Sequence, residues 1–187
     1  MSLTFHDVSC TRGGRVLFAG LSFAVAAGEA LAVRGPNGVG KSSLVRLAAG
    51  LVPPSAGRIE RPERVALMHE GMALDHELPL GQALGYWAAI DGRADRVEAA
   101  LDAVAMAELA EVPVRFLSTG QRRRAALARV IASDSVLWLL DEPANGLDVA
   151  AVARLGEAIA AHRAGGGAVL VATHVPVALP DAREILL

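Results

Sequence analysis

The sequence contains few of the residues that define several common protein classes. Its 187 residues include one cysteine, Cys10, which excludes an internal disulfide and favours a reducing compartment. The same scarcity excludes covalent haem attachment through a CxxCH motif. Aromatic residues make up 4% of a chain that is 53% hydrophobic, so the core must consist mainly of alanine, valine and leucine.

The sequence also lacks long hydrophobic runs and an excess of either charge. No stretch approaches the roughly 18–20 consecutive apolar residues of a membrane-spanning helix, so any link to a membrane must come through a partner. Thr4, His6 and Asp7 interrupt the start of the chain, which predicts that it is not a signal peptide. The net charge is −2 with both signs mixed along the chain, and this pattern predicts no nucleic-acid partner.

The pattern of apolar segments predicts a single α/β domain that covers residues 1–187. Its start is rich in short β segments, and the continuous apolar run 136–140 is typical of a strand buried on both faces in a parallel sheet. Residues from about 79 to 133 are mostly helical, which predicts a helical subdomain inserted into the α/β core. The other predicted elements are apolar β segments at 3–8, 16–18, 21–25, 29–34, 58–60, 65–68, 168–173 and 184–187, and helices at 41–49 and 149–164.

A glycine-rich stretch follows the predicted strand at 29–34 and fits the pattern GxxxxGK(S/T) at every fixed position. In that pattern, backbone N–H groups surround the β-phosphate, Lys41 reaches the β- and γ-phosphates, and the Ser42 hydroxyl binds Mg²⁺. A glycine-rich turn could match by chance, but the strand–loop–helix context favours ATP or GTP binding. The candidate nucleotide-binding residues are Gly35, Pro36, Asn37, Gly38, Val39, Gly40, Lys41, Ser42 and Ser43.

Two acidic residues, Asp141 and Glu142, follow the apolar run 136–140. Ligands of open α/β sheets bind at the carboxyl ends of the strands, so both carboxylates are expected at that edge. Asp141 is placed to hold Mg²⁺, and Glu142 is placed to polarise the attacking water as a general base. Neighbouring acidic residues are common in loops and helix caps, but their position after a phosphate loop favours a hydrolytic site.

A second candidate anion site lies at the start of another predicted helix. Residues 117–121, Leu-Ser-Thr-Gly-Gln, open a helix that runs to about residue 132, and Ser118 is a suitable N-cap. The free N–H groups of a first helical turn attract anions. Because this turn lies more than seventy residues beyond the phosphate loop, the pattern indicates one nucleotide held between two surfaces.

At these motifs the chain resembles the ABC ATPase family, whose signature LSGGQ differs from this sequence only at Thr119. The resemblance covers essentially the whole chain. It implies a P-loop NTPase core with a small N-terminal antiparallel β subdomain and an inserted helical subdomain. It also implies a dimer in which the signature of one subunit faces the phosphate loop of the other, with two ATP molecules between them. On this basis Ser118, Gly120 and Gln121 bind nucleotide.

Further matches to the same family lie beyond the carboxylate pair. Residues 145–148 match the D-loop, which contacts the opposite subunit, and His174 matches the switch histidine at the γ-phosphate, a catalytic candidate beside Glu142. His69 stands where the family usually has a glutamine, and the resemblance implies that its imidazole coordinates Mg²⁺ through a bound water. No aromatic residue stands near Arg12, where the family stacks one on adenine; the Arg12 guanidinium could stack instead.

Within the family, the sequence is most similar to the branch that serves c-type cytochrome biogenesis. The similarity rests on residues 33–44, His69, residues 117–124 and residues 138–143. It implies an ATPase with ATP and Mg²⁺ as cofactors, working as a homodimer bound peripherally to the cytoplasmic face of a bacterial inner membrane. It also implies integral membrane partners of the cytochrome c maturation system, and a role in haem export or the release of a haem-loaded chaperone.

Other interpretations use the same motifs. A transporter ATPase for another substrate would have identical chemistry, because the substrate is not encoded in this subunit. A soluble ABC ATPase that acts on ribosomes or DNA typically has two cassettes or a long coiled-coil insertion, and this sequence has neither. A cassette that binds ATP without hydrolysing it is disfavoured by Glu142 and His174. The arginines at 122–124 point to different sides of a helix, which disfavours a nucleic-acid patch.

Overall fold

A computed structural model of the chain describes residues 3–69, 71, 73–175 and 177–187. These residues form two sheets and a group of helices. In chain order the elements are β1 Leu3–Arg12, β2 Arg15–Val25, β3 Ala30–Arg34, α1 Lys41–Ala48, β4 Ala56–Glu60, β5 Val65–Met68, α2 Leu80–Ile90, α3 Val97–Ala103, α4 Thr119–Ala132, β6 Leu137–Asp141, α5 Val149–Ala164, β7 Ala168–Ala172 and β8 Arg183–Leu186. Short 3₁₀ turns lie at Ala94–Arg96, Ala107–Leu109 and Val114–Phe116.

The first sheet is antiparallel, with the strand order β2-β1-β4. A tight turn at Gly13 and Gly14 joins β1 to β2, and their φ angles of 53° and 76° suit glycine. The apolar segments at 16–18 and 21–25 form one strand, which corrects the break predicted at Gly20. Gly20 has a φ angle of 64° inside β2, where the register with β1 shifts, so the glycine bends the strand without ending it.

The second sheet is parallel, with the strand order β5-β6-β7-β3-β8. All five residues of β6 are buried, as predicted for a strand covered on both faces. Side chains alternate between the faces, so Leu139 joins a cluster that includes helix α1, while Leu140 joins a cluster that includes α4 and α5. The strand begins and ends one residue later than predicted and therefore includes Asp141.

Helices α2, α3 and α4 lie between β5 and β6 in the chain and form the predicted helical insertion. Their apolar faces meet in one buried cluster that includes Leu84, Leu101 and Leu127. The predicted fold class, an α/β core with an antiparallel β subdomain and a helical insertion, is confirmed. Across the described residues, no helix combines the length and the apolar character needed to cross a lipid bilayer.

The order of the parallel sheet brings three strand ends to one edge. Because β7 lies between β3 and β6, the segments that follow these strands are neighbours. The glycine-rich loop follows β3, Glu142 follows β6, and His174 lies just beyond β7. Ligands of open parallel sheets bind at this edge.

Candidate active site

The loop between β3 and α1 has a backbone that favours glycine. Gly35, Gly38 and Gly40 have φ angles of 145°, 81° and 123°. A Cβ atom on Gly35 would also lie 2.9 Å from the carbonyl oxygen of Leu187, so contact as well as conformation excludes a side chain there. Helix α1 begins directly after Gly40, which has no side chain to cap it, and such a helix start favours an anion.

Lys41 places a positive charge inside this loop. Its side chain is buried, and its ammonium donates hydrogen bonds to the carbonyl oxygens of Gly35 at 2.8 Å and Pro36 at 3.2 Å. The same ammonium lies 3.5 Å from the carboxylate of Glu142. Lys41 is therefore held between the loop and the carboxylate, where its charge can neutralise part of the charge of a phosphate group.

Ser42 and Asp141 meet at the base of the loop, although 99 positions separate them in the chain. The Ser42 hydroxyl donates a 3.0 Å hydrogen bond to Oδ1 of Asp141. Burial raises the pKa of Asp141; the Ser42 hydrogen bond opposes that shift and the nearby Glu142 carboxylate adds to it. A cation beside Asp141 would stabilise its ionised form.

These two side chains fit a Mg²⁺ ion, which prefers hard oxygen ligands and commonly binds one or two protein oxygens together with substrate phosphates. Within the part of the chain that the structure describes, no group of three or more His, Cys, Asp or Glu side chains could hold a metal by itself. Ser42 and Asp141 would therefore share the ion with the phosphates of a bound nucleotide.

Glu142 has a strained backbone that turns its side chain toward the loop. Its φ angle is 49°, in the left-handed region that residues other than glycine rarely occupy. Its N–H donates a 2.7 Å hydrogen bond to the carbonyl oxygen of Ala172 in β7. Its carboxylate accepts hydrogen bonds from His174, from Nδ1 at 2.9 Å and from the backbone N–H at 3.2 Å.

The protonation state of Glu142 follows from these contacts. Burial alone would raise the pKa of Glu142, but the hydrogen bonds from His174 and the charges of His174 and Lys41 outweigh burial and lower it. Glu142 is therefore ionised near neutral pH, and its carboxylate can accept a hydrogen bond from a water molecule.

One cavity is bordered by residues of the phosphate loop together with Glu142 and His174. Its volume is about 380 Å³. The lining residues are Leu17, Asn37, Gly38, Gly40, Lys41, Ser42, Ser43, Glu142, Asn145 and His174. The loop and the carboxylate that sequence reasoning assigned to one reaction are thus neighbours in space.

The signature residues lie outside that cavity. Ser118 caps α4: its hydroxyl accepts from the N–H of Gln121 at 3.3 Å, and the side-chain oxygen of Gln121 accepts from the N–H of Ser118 at 2.8 Å. Neither residue lines the phosphate-loop cavity, and neither does Gly120. The capping contacts give the signature a fixed geometry at the start of its helix.

His69 also lies away from the phosphate loop. It lines a separate cavity of about 620 Å³, together with Thr119 of the signature and Asn145 of the D-loop match. The Nδ1 atom of His69 accepts a 2.9 Å hydrogen bond from the N–H of Gly71. Asn145 borders both cavities, so they adjoin, but the structure does not bring His69 to Ser42 and Asp141.

Two residues at the site were not predicted from the sequence. Leu17 of β2 lines the phosphate-loop cavity, whereas Arg12, the proposed partner for adenine, does not. Arg123 donates hydrogen bonds to the backbone at Asp141 and Glu142. No motif marks Leu17, and the run of three arginines that includes Arg123 suggests a solvated helix face, so neither role had a sequence signal.

The loop, the Ser42–Asp141 pair and the Glu142–His174 pair define a P-loop nucleotide hydrolase with a helical insertion. A family model described as ABC transporter matches residues 18–145, well over half of the chain. The chain therefore belongs to the ABC transporter family.

Individual relatives show which branch of the family the chain is most similar to. The cytochrome c biogenesis ATP-binding export protein CcmA of Sphingopyxis alaskensis is 58% identical over 188 residues, covering 99% of this chain and 96% of that protein. The protein of the same name from Zymomonas mobilis is 52% identical over 185 residues, covering 99% of this chain and 84% of that protein. A solved ATP-binding subunit of an ABC transporter has the same fold, with a TM-score of 0.84 at 24% identity, over 94% of this chain and 80% of that one. The predicted resemblance and the assignment as an ABC-type ATPase are confirmed.

Proposed function

We propose that the chain hydrolyses ATP with Mg²⁺ as the ATP-binding subunit of a membrane export complex that serves c-type cytochrome biogenesis. The observation that carries the proposal is that Lys41, Ser42, Glu142 and His174 line one cavity. Ser42 is hydrogen-bonded to Asp141, and Glu142 lies beside both Lys41 and His174. The names of the two similar proteins, at 52% and 58% identity, support the cytochrome c branch.

The side chains of the site take separate roles in this proposal. The N–H groups of residues 35–43 and the Lys41 ammonium bind the β- and γ-phosphates. Ser42 and Asp141 would hold Mg²⁺, which offsets negative charge on the phosphates when it is bound. Glu142 orients the attacking water and accepts its proton, while His174 holds Glu142 in place and borders the cavity that receives the γ-phosphate.

The signature residues take part through a second copy of the chain. Ser118, Gly120 and Gln121 lie outside the phosphate-loop cavity of their own subunit, so they are available to the nucleotide of a partner. The start of α4 would meet the γ-phosphate across the interface, where the first helical turn favours negative charge. We infer a homodimer that closes around two ATP molecules, and closure is also the step that would bring His69 within reach of a Mg²⁺-bound water.

The membrane partners are proposed to dock on the helical insertion. Tyr86 on α2 is 63% exposed, and beside it lies a cavity of about 430 Å³. Ala73, Asp75, Leu78, Ala83, Tyr86 and Trp87 line this cavity. A mostly apolar groove with aromatic residues suits a short helical segment of an integral membrane subunit. This chain would then lie peripherally at the cytoplasmic face of a bacterial inner membrane. Haem or a haem chaperone would be the cargo of the complex.

A deletion strain tests the branch assignment. Loss of the gene should abolish covalently bound haem in c-type cytochromes, measured by haem staining of separated membrane proteins. The wild-type chain should restore the signal, and Lys41→Ala and Glu142→Gln should not. Arg154→Ala, at an exposed position on α5, is the matched control and should restore it. Normal c-type cytochromes in the deletion strain would contradict the cytochrome c role. An ATPase assay of the purified chain tests hydrolysis independently of that role.

A further inference from the structure

Arg123 contacts the backbone on both sides of the Glu142 Cα atom. Its Nη2 donates to the carbonyl oxygen of Asp141 at 3.1 Å and to the carbonyl oxygen of Glu142. The Glu142 carbonyl also accepts the N–H of Asn145 at 3.2 Å. The guanidinium therefore bridges α4 and the segment that carries the two carboxylates.

These two carbonyls belong to the peptide planes before and after Glu142. Because each peptide unit is planar, holding both planes fixes the φ and ψ angles of the residue between them. The φ angle of Glu142 is 49°, a conformation that persists only when its surroundings enforce it. Hydrogen bonds from a charged guanidinium are stronger than those between neutral groups, so Arg123 is suited to enforce it.

We propose that Arg123 is a positioning residue for hydrolysis, which holds Glu142 so that its carboxylate stays beside Lys41 and His174. The inference rests on Glu142 acting as the base, as set out under the proposed function. Arg123 follows Gln121 of the signature by two positions in α4, so a shift of the signature helix would move the backbone of the base. Arg123 thereby links the surface that meets the partner's nucleotide to the carboxylate that acts on the chain's own nucleotide.

The next residue offers a matched comparison. Arg124 also donates to two consecutive carbonyl oxygens, those of Val104 at 3.3 Å and Ala105 at 3.1 Å, and Ala105 also has a positive φ angle, of 53°. Those carbonyls lie in the helical insertion, away from the phosphate loop. Arg124→Gln therefore removes the same kind of contact from the same helix without touching the carboxylates.

The test compares Arg123→Gln, Arg123→Lys and Arg124→Gln by steady-state hydrolysis, ATP affinity and melting temperature. We expect Arg123→Gln to lower kcat by about ten- to a hundredfold, the usual cost of a displaced catalytic group, while the Kd for ATP stays within about twofold. Arg123→Lys, which keeps one charged donor, should recover part of kcat. Arg124→Gln should lower the melting temperature and leave the kcat of the folded protein within about twofold of wild type.

A second arm separates positioning from a general loss of structure. In a Glu142→Gln background, adding Arg123→Gln should change the residual rate by less than about twofold, because the group that Arg123 positions is already gone. Wild-type kcat in Arg123→Gln, or an equal loss in both backgrounds, would overturn the inference alone. Wild-type kcat in Glu142→Gln would overturn the assignment of the base, and this inference with it.

Discussion

The imidazole of His162 stacks on the indole of Trp138, with ring centroids 4.0 Å apart and planes within 8° of parallel. The stack joins the last turn of α5 to Trp138, the second residue of β6, three positions before Asp141. A Cβ atom on Gly167 would collide with the His162 ring, so the turn between α5 and β7 is fitted to this pair. A half-buried histidine therefore packs against the strand that leads to Asp141 and Glu142.

The stack predicts a loss of stability in mild acid. Burial lowers the pKa of His162, although a backbone hydrogen bond at Ala168 and the charge of Asp134 oppose the shift. In the unfolded chain the ring takes up a proton below about pH 6.5, so the stability that the neutral ring contributes is present above that pH and lost as pH falls. His162→Phe keeps a ring on Trp138 and removes the titrating group. The free energy of unfolding, measured by urea denaturation, should therefore depend less on pH between about pH 6.5 and 5. An unchanged slope in this variant would contradict the explanation.

The buried carboxylate of Asp141 is predicted to lower the stability of the fold and to be needed for Mg²⁺ binding. Because burial raises its pKa, ionised Asp141 costs stability at every pH above the ordinary range of a carboxyl group. Asp141→Asn keeps the shape and removes the charge, so the melting temperature in EDTA at pH 7 should rise. The same variant should lose the gain in ATP affinity that Mg²⁺ provides, measured by calorimetry with and without the ion. A lower melting temperature, or an unchanged effect of Mg²⁺, would refute the assigned role.

The position of Glu142 beside Lys41 and His174 predicts a hydrolysis defect without a binding defect. Glu142→Gln removes the proton acceptor and keeps the shape, so kcat should fall by roughly a hundredfold or more. The affinity for ATP should stay near the wild-type value, because the phosphate loop is unchanged. Phosphate release under saturating ATP measures the first quantity and calorimetry the second; turnover within a few-fold of wild type would exclude Glu142 as the base.

The strands of the parallel sheet could be predicted because their side chains are buried on both faces. β6 and β7 appear in the sequence as continuous apolar runs, and their bounds were found to within one residue. The phosphate loop could be predicted because its glycines and Lys41 serve one geometric purpose at fixed spacing. The acidic pair could be predicted only from two signals together. The apolar strand places Asp141 at the sheet edge, and the phosphate loop gives Glu142 a nearby nucleotide on which to act.

Other features depend on contacts that a linear pattern does not record. A glycine such as Gly20 usually marks the end of a strand. Here residues on both sides of Gly20 pair with β1, so β2 continues past it. Arg123 is one of three consecutive arginines, and only the placement of α4 in the fold shows which of them reaches the backbone carbonyls of Asp141 and Glu142. Leu17 lines the nucleotide cavity because the β subdomain lies over the loop, a long-range arrangement with no local signal.

We propose a dimer in which two copies of this chain close around ATP, each supplying the signature for the other's nucleotide. Its most direct test is sedimentation velocity of the Glu142→Gln protein with Mg²⁺-ATP, with Mg²⁺-ADP and without nucleotide, and again with Ser118→Arg added. ATP should produce dimers because its γ-phosphate is the group that the start of the partner's α4 would bind, whereas ADP lacks it. Ser118→Arg should keep ATP binding in the monomer and prevent dimers, since it places a bulky side chain at the capped turn. Dimers that form equally well with ADP, or that persist with Ser118→Arg, would contradict the account.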